Sequence, residues 1–156
     1  MLFLVVSGVY AQQITTVILM RHAEKSSDGS KDPELTDAGK ARAISLVKLL
    51  KEVKVDAIYS TGFKRTQNTV APLAMTKNLT ISSYDAMKGE EIDNMLKKFP
   101  GGTIVICGHS NTTPWIANYL TGKEKEYKDF DDTDYDNILV LDVIEKGKAK
   151  VTWLTY

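Results

Sequence analysis

Residues 17–26, VILMRHAEKS, place an arginine and a histidine directly after a run of large apolar residues. No polar residue interrupts the run from Val17 to Met20, which is typical of a strand that is buried on both faces of a sheet. The strand ends at Arg21 and His22, so a rigid element delivers both side chains. The rest of the chain indicates what function Arg21 and His22 serve at the end of this strand.

Two further apolar runs end in polar, chemically active residues. VDAIYS (55–60) leads into TGFKRTQ, which contains Arg65, and GTIVICG (102–108) leads into His109. The remaining predicted elements are helices over 35–52 (N-cap Thr36), 63–75 (kinked or ended at Pro72), 90–99 and 113–122, a strand at 79–83, an acidic surface loop at 123–137 and a closing hairpin over 138–156. This alternation predicts an α/β fold: a three-layer α/β/α sandwich with a mainly parallel central sheet and an antiparallel edge strand.

The composition is that of one ordinary globular domain. The chain has 156 residues, 43% of them hydrophobic and 26% charged, and 20 basic residues balance 20 acidic ones. A balanced charge argues against nucleic-acid or membrane-surface binding, and no apolar stretch has the length of a membrane span. One cysteine and two histidines argue against the usual zinc sites. Cys107 lies within an apolar run and is predicted to be a buried thiol.

The first residues resemble a secretion signal. MLFLVVSGVYA is apolar, with the small residues Val9 and Ala11 at the positions that signal peptidase reads. We therefore predict a signal peptide over 1–11, a single domain over 12–156, and a periplasmic or secreted mature protein. No Lys or Arg precedes Arg21, so a true start further upstream, or an extra apolar strand in a cytoplasmic protein, are the alternatives.

Arg21, His22, Arg65 and His109 follow three strands of the predicted sheet. Ligands of open α/β sheets bind outside the carboxyl ends of the strands, so we expect these four side chains to lie together. Two guanidinium groups and two imidazoles in one place need a negative partner. A phosphoryl group suits them, because the planar fork of arginine matches two phosphate oxygens.

These motifs resemble those of the histidine phosphatase superfamily, the phosphoglycerate-mutase-like proteins. RHAEK matches the family's Arg-His pair after the first strand, with Ala23 where glycine is usual. STGFKRTQNT matches the region of its later arginine, LTDAGKARA its first helix, and Gly108-His109 its second histidine. The resemblance covers residues 15–156, and the chain is similar in size to the short phosphohistidine phosphatases.

The resemblance implies that His22 is the nucleophile and becomes a phosphohistidine. Arg21, Arg65 and His109 would bind the non-bridging oxygens of the phosphoryl group. Imidazole attacks only when it is neutral, and the nearby arginines lower its pKa. A backbone acceptor on one ring nitrogen would leave the other nitrogen aimed at phosphorus. No metal or organic cofactor is implied.

The general acid is less well marked. Cleavage of an alkyl phosphate requires a proton on the leaving oxygen, which a carboxyl group usually supplies. Asp85 is our choice because it follows the predicted strand at 79–83, with Glu90, Glu91 and Glu24 as alternatives. Only the loops 24–35 and 123–137 could act as lids, so we predict an open site.

The expected activity is hydrolysis of phosphate monoesters or phosphoramidates, in a small molecule or a phosphoprotein. The alternatives are a catalytically inactive phosphate-binding module and a mutase-like phosphotransferase. GHSNT (108–112) also resembles the nucleophile elbow of α/β-hydrolases, with Ser110 as nucleophile. Thr112 replaces the last glycine of that motif, and His22 precedes the serine, so we expect Ser110 and Asn111 only to lend polar contacts near the phosphate.

Overall fold

The structure is a computed structural model, and it describes residues 13–156 with the predicted α/β architecture. The predicted signal peptide at 1–11 lies outside the described residues, and its removal stays a prediction. Within the described residues no helix is long and apolar enough to cross a membrane. The elements are β1 (Thr15–Arg21), α1 (Asp37–Leu49), β2 (Ala57–Ser60), α2 (Lys64–Lys77), β3 (Ile81–Ser83), α3 (Gly89–Lys98), β4 (Thr103–Gly108), α4 (Thr112–Thr121), β5 (Asn137–Glu145) and β6 (Lys148–Thr155).

One six-stranded sheet forms the middle layer, in the order β3-β2-β4-β1-β5-β6. The first four strands are parallel, and β5 runs antiparallel to β1. The mainly parallel sheet is therefore confirmed. The antiparallel part comprises two strands, because the hairpin reverses at Lys146–Gly147, where Gly147 has a φ of +84°, and lays β6 along β5 as the edge.

Alternate residues of β1 belong to two separate cores. Val17 and Leu19 pack with α3 and α4, whereas Ile18 and Met20 pack with α1 and α2. Cys107 is fully buried in the second core, as predicted, and burial raises the pKa of its thiol. A strand that is apolar on both faces thus defines the three layers.

The two helices on one face begin and end for local reasons. Thr36 caps α1, accepting a hydrogen bond from the Gly39 N–H at 3.1 Å. A side chain at Gly39 would collide with the Glu24 carbonyl oxygen, so only glycine allows α1 this close to the loop after β1. The prediction left open whether Pro72 kinks or ends α2, and the structure shows that the helix does not end there. The helix continues to Lys77 because Leu73, just after the proline, is buried in the core.

Candidate active site

The predicted nucleophile His22 and the three predicted phosphate-binding side chains meet at one edge of the sheet. Arg21 ends β1, and the His22 N–H donates to the Gly108 carbonyl at 2.9 Å, which extends the parallel pairing by one residue. Arg65 lies in the first turn of α2, and His109 follows β4. The ring centroids of the two histidines are 5.6 Å apart. Parallel neighbouring strands thus bring together residues that are far apart in the sequence.

Glycine at 108 allows the turn that positions His109. A Cβ atom there would lie 2.6 Å from Thr112 Oγ1 and 3.0 Å from the Tyr84 hydroxyl. Thr112 Oγ1 instead accepts a hydrogen bond from the His109 N–H at 2.8 Å. The chain can therefore turn directly from β4 into α4 with His109 at the turn.

Ala23 fits where related sequences usually have glycine. Its side chain is buried, and its N–H donates to Thr69 Oγ1 at 2.9 Å. Thr69 in turn donates to the Arg65 carbonyl at 2.7 Å. These two bonds connect the loop after β1 to α2, so the alanine helps to hold His22 and Arg65 in register.

His22 is held as a neutral imidazole with one free nitrogen. Nδ1 lies 2.8 Å from the Ala23 carbonyl oxygen, which can only accept, so Nδ1 carries the proton and Nε2 keeps its lone pair. Burial, with smaller contributions from Arg21, His109 and Arg65, lowers the pKa of His22 to about 3. The residue therefore meets both requirements of a nucleophile at neutral pH, an uncharged ring and a free lone pair.

His109 is fixed by a chain of hydroxyl groups. Its Nε2 lies 2.9 Å from Thr61 Oγ1, which lies 2.9 Å from Thr66 Oγ1, and Thr66 donates to the Phe63 carbonyl at 2.7 Å. Because Thr66 donates to a carbonyl, its oxygen is left to accept from Thr61, and Thr61 accepts from His109 Nε2. Burial and the positive charge of Arg65 lower the pKa of His109 to about 4.

Arg21 binds the second half of the acidic loop. It is buried, and Nη1 donates to the carbonyl oxygens of Asp131 and Asp134 at 2.6 and 2.9 Å. Its guanidinium carbon lies 4.2 Å from the centroid of the Tyr135 ring, which is 5.9 Å from the His22 ring. Residues 131–135 are thus a wall of the site, whereas the sequence predicted a surface loop that could act as a lid.

Both arginines keep an unused donor inside the site. Within residues 13–156, Arg21 Nε and Arg65 Nε are buried and have no hydrogen-bond partner. Arg65 Nη1 is 3.8 Å from the nearest Asp32 carboxylate oxygen, a weak ion pair, and its guanidinium carbon lies 4.3 Å from the Phe63 ring centroid. Buried N–H groups without partners are costly, so both Nε atoms are donors that a bound acceptor would stabilise.

Two of the four carboxyl candidates line the cavity beside His109. Asp85 and Glu91 both contribute to a cavity of about 430 Å³ that His109 also lines. Asp85 forms an ion pair with Lys88 at 2.5 Å, and both side chains are more than half exposed. The structure therefore brings Asp85 to the predicted region, with Glu91 as a neighbour.

The other two carboxyl candidates are directed elsewhere. Glu24 pairs with Arg42 through contacts of 2.7 to 3.1 Å, and this hydrogen-bonded pair lowers the pKa of Glu24. A carboxyl group held ionised by a guanidinium is a poor proton donor. Glu90 is exposed at the start of α3 and does not line the cavity.

Three residues of the site were missed by the sequence analysis. Thr61 and Phe63 lie within the quoted motif after β2, and their place directly behind a buried strand is a usable signal. Tyr135 stands in an acidic stretch that carries no such signal. Ser110 has no side-chain hydrogen bond to either histidine within the described residues, so no serine–histidine pair is present there. No group of three or more potential metal ligands occurs in that part of the chain either.

The two lowered histidine pKa values predict an acid-sensitive fold. Between about pH 5 and 6.5 the unfolded chain binds protons on its histidines, whose ordinary pKa is 6.5, and the folded chain does not. Stability therefore falls as the pH drops through this interval, by about 3 kcal/mol in total for the two histidines. Urea unfolding at several pH values measures this change in the free energy of unfolding. The double variant His22→Asn/His109→Asn should lose most of this slope, and an unchanged slope would contradict the assignment.

Comparisons with known proteins found sequence relatives and structures of the same fold. The sequence pattern of the histidine phosphatase superfamily (branch 1) matches residues 17–90. Phosphoserine phosphatase 1 of Hydrogenobacter thermophilus is 32% identical over 98 residues, covering 54% of this chain and 46% of that protein. A 2,3-bisphosphoglycerate-dependent phosphoglycerate mutase of Bartonella tribocorum is 40% identical over 62 residues, covering 35% and 30%. The matched stretches thus span less than half of each curated relative.

The fold similarity extends over nearly the whole domain. The solved structure of the protein histidine phosphatase SixA complexed with tungstate aligns with a TM-score of 0.72 at 15% identity, covering 90% of this chain and 96% of that chain. The matched stretch at 17–90 contains Arg21, His22 and Arg65, whereas His109 lies after it. The chain is therefore similar to the histidine phosphatase superfamily in sequence over residues 17–90 and in fold over nearly the whole domain.

Proposed function

We propose that the protein is a phosphatase that hydrolyses phosphate monoesters or phosphoramidates through a phosphohistidine on His22. One observation carries the proposal: the buried guanidinium of Arg21 and the partly buried guanidinium of Arg65, each with an Nε that has no partner among the described residues, lie beside a neutral, oriented imidazole. Positive donors alone would make an anion site. The free lone pair of His22 adds the ability to attack phosphorus.

Binding of the substrate phosphate compensates the charges of the cluster. Arg21 and Arg65 donate from Nε to its oxygens, and the anion between the guanidiniums raises the pKa of His109, so that its imidazolium can donate as well. Groups that already point at the phosphoryl oxygens need little reorganisation as charge develops there, which is how most catalysis of phosphoryl transfer arises.

The reaction has two steps. His22 Nε2 attacks phosphorus, a P–N bond forms, and the bond to the leaving oxygen or nitrogen breaks. Water then attacks phosphorus, the P–N bond breaks, and inorganic phosphate leaves with neutral His22 restored. Ala23 holds Nδ1 throughout, so the positive charge on the phosphorylated ring stays next to a carbonyl dipole.

Asp85 is the proposed general acid for alkoxide leaving groups. It gives its proton to the leaving oxygen in the first step and takes one from water in the second. Lys88 must release its carboxylate before Asp85 can be protonated. Glu91, in the same cavity, is the alternative.

Assays of a substrate panel test the function. With EDTA present, the purified protein should release phosphate from at least one of p-nitrophenyl phosphate, phosphoserine, small sugar phosphates, pyrophosphate and a phosphohistidine peptide. Phosphoserine is included because a curated relative is a phosphoserine phosphatase. Activity that requires an added divalent metal would contradict the metal-independent mechanism.

The same preparation separates the two alternatives. An inactive phosphate-binding module would be stabilised by inorganic phosphate, with a higher Tm, and would release no phosphate from any substrate. A mutase-like phosphotransferase would pass the phosphoryl group to a second alcohol in preference to water. Product analysis with glycerol as competing acceptor distinguishes transfer from hydrolysis.

Substitution of Asp85 should discriminate between leaving groups. In Asp85→Asn, kcat for an alkyl phosphate such as phosphoserine should fall about 100-fold, because an alkoxide needs a proton. The effect on p-nitrophenyl phosphate should be small, because nitrophenolate leaves without one. Glu91→Gln is the matched control in the same cavity. If Glu91→Gln shows the selective loss and Asp85→Asn does not, the acid is Glu91.

A further inference from the structure

We propose that a groove beside the catalytic site, lined by Met87, Asn111, Trp115, Lys125 and Lys128, binds the leaving group of an elongated substrate that carries a second anionic group. The groove is a cavity of about 500 Å³ and contains none of the phosphate-binding residues. A compact phosphate ester held by the arginines therefore cannot fill it. An extended leaving group can reach into the groove and fill it.

The groove has a rigid apolar wall. Trp115 is half-buried on α4 and stacks on Tyr119, with ring centroids 5.3 Å apart and an interplanar angle of 16°. On the far side, Asn118 fastens Tyr127 with two hydrogen bonds, of 2.8 Å to its carbonyl and 3.0 Å from its N–H. Exposed Met87 stands on the rim. A methylene chain or an aromatic ring has apolar surface to contact here.

The backbone of the groove is strained at two points. Among residues 13–156 the only non-glycine residues with positive φ are Asn78, which ends α2, and Met87 and Lys125, at 64° and 60°. Long side chains rarely adopt this conformation, and it costs about 1 kcal/mol or more each. Both strained residues line the same groove, and strain of this kind concentrates at ligand sites.

The charges of the groove favour an anion. Lys125 and Lys128 are exposed and form no salt bridge with any described residue, whereas Asp129 is the single acidic group of the lining. The neighbouring Lys123 is paired with Glu126 at 2.6 Å. The Asn111 side chain makes no cap bond to α4 within the described chain, so its amide is also available.

Consecutive residues connect the groove to the cavity that holds the proposed general acid. Ala86 lines the cavity of His109 and Asp85, and the next residue, Met87, lines the groove. If Asp85 protonates the leaving oxygen, the rest of the leaving group points toward Met87. This inference rests on the proposed function for the direction of departure, but binding in the groove can be measured without turnover.

Non-hydrolysable phosphonates of graded length test the proposal. Dissociation constants would be measured by calorimetry for ω-carboxyalkylphosphonates with one to ten methylene groups and for the matching alkylphosphonates. We expect affinity to rise with length, and the carboxylate to add about fivefold once it reaches the two lysines. Lys125→Gln/Lys128→Gln should remove the carboxylate gain, and Trp115→Ala should weaken long ligands of both series about tenfold.

Two controls test whether the changes in affinity arise in the groove. Lys123→Gln, a nearby lysine outside the groove lining, should leave every affinity unchanged, and methylphosphonate should bind equally to all variants. Affinity that does not increase with chain length, or an increase that survives in the groove variants, would overturn the proposal. Loss of turnover on all substrates, with the length dependence intact, would overturn the phosphatase assignment and leave the groove standing.

Discussion

His22→Asn is expected to abolish turnover, with kcat at least about 1,000-fold below that of the unmodified protein. Asparagine can place its amide N–H where Nδ1 donates to the Ala23 carbonyl, so the loop should keep its shape. It has no nitrogen lone pair with which to attack phosphorus. The loss would therefore reflect the missing nucleophile rather than a damaged site.

Trapping of the intermediate separates the roles of the two histidines. After brief mixing with ³²P-labelled substrate and quenching in alkali, where phosphohistidine is stable, the unmodified protein should carry label and His22→Asn should not. His109→Asn should react slowly but still become labelled. Label in His22→Asn, or turnover close to normal, would show that His22 is not the nucleophile.

Arg21→Lys and Arg65→Lys should each lower kcat/KM about 100-fold or more, but only the first should strongly destabilise the fold. Lysine keeps the charge and loses the planar fork, so it cannot hold phosphate oxygens in the same geometry. Arg21 also donates to two carbonyls of the 131–135 wall, at 2.6 and 2.9 Å. Leaving those carbonyls without a donor should cost about 1 to 3 kcal/mol.

Urea unfolding and steady-state kinetics on the same preparations measure both effects. Within residues 13–156, Arg65 contacts Asp32 at 3.8 Å and the Phe63 ring, and its side chain donates to no carbonyl, so Arg65→Lys is the matched control for stability. Equal losses of stability would contradict the double role of Arg21. Full activity in either variant would contradict its place in phosphate binding.

The central part of the site was predictable because it depends on strand ends. Arg21, His22 and His109 directly follow apolar runs that are buried on both faces, and parallel strands bring their carboxyl ends to one edge. The N-cap of α1 was predictable for a similar reason. Thr36 contacts a residue only three positions away, so the contact is local in the sequence.

Long-range contacts determined the features of the site and fold that local sequence patterns do not predict. Glu24 is next to the nucleophile in sequence, yet its carboxylate turns to Arg42, 18 positions away. Tyr135 and the carbonyls that Arg21 binds come from a stretch more than 100 residues after it, with no periodic pattern to place them. Pro72 left a kink or an end of α2 open, and the helix continues past it with Leu73 and Ala74 buried in the core.

The amino-acid sequence by itself determined the strand and helix order, the three layers and the four residues of the cluster, because each follows from apolar periodicity and chain position. Only the tertiary structure decided which nitrogen of His22 is free, which donors of the arginines are unused and which carboxyl groups face the cavity. Those properties depend on burial and on partners distant in the chain, and both come into existence only when the sheet has formed.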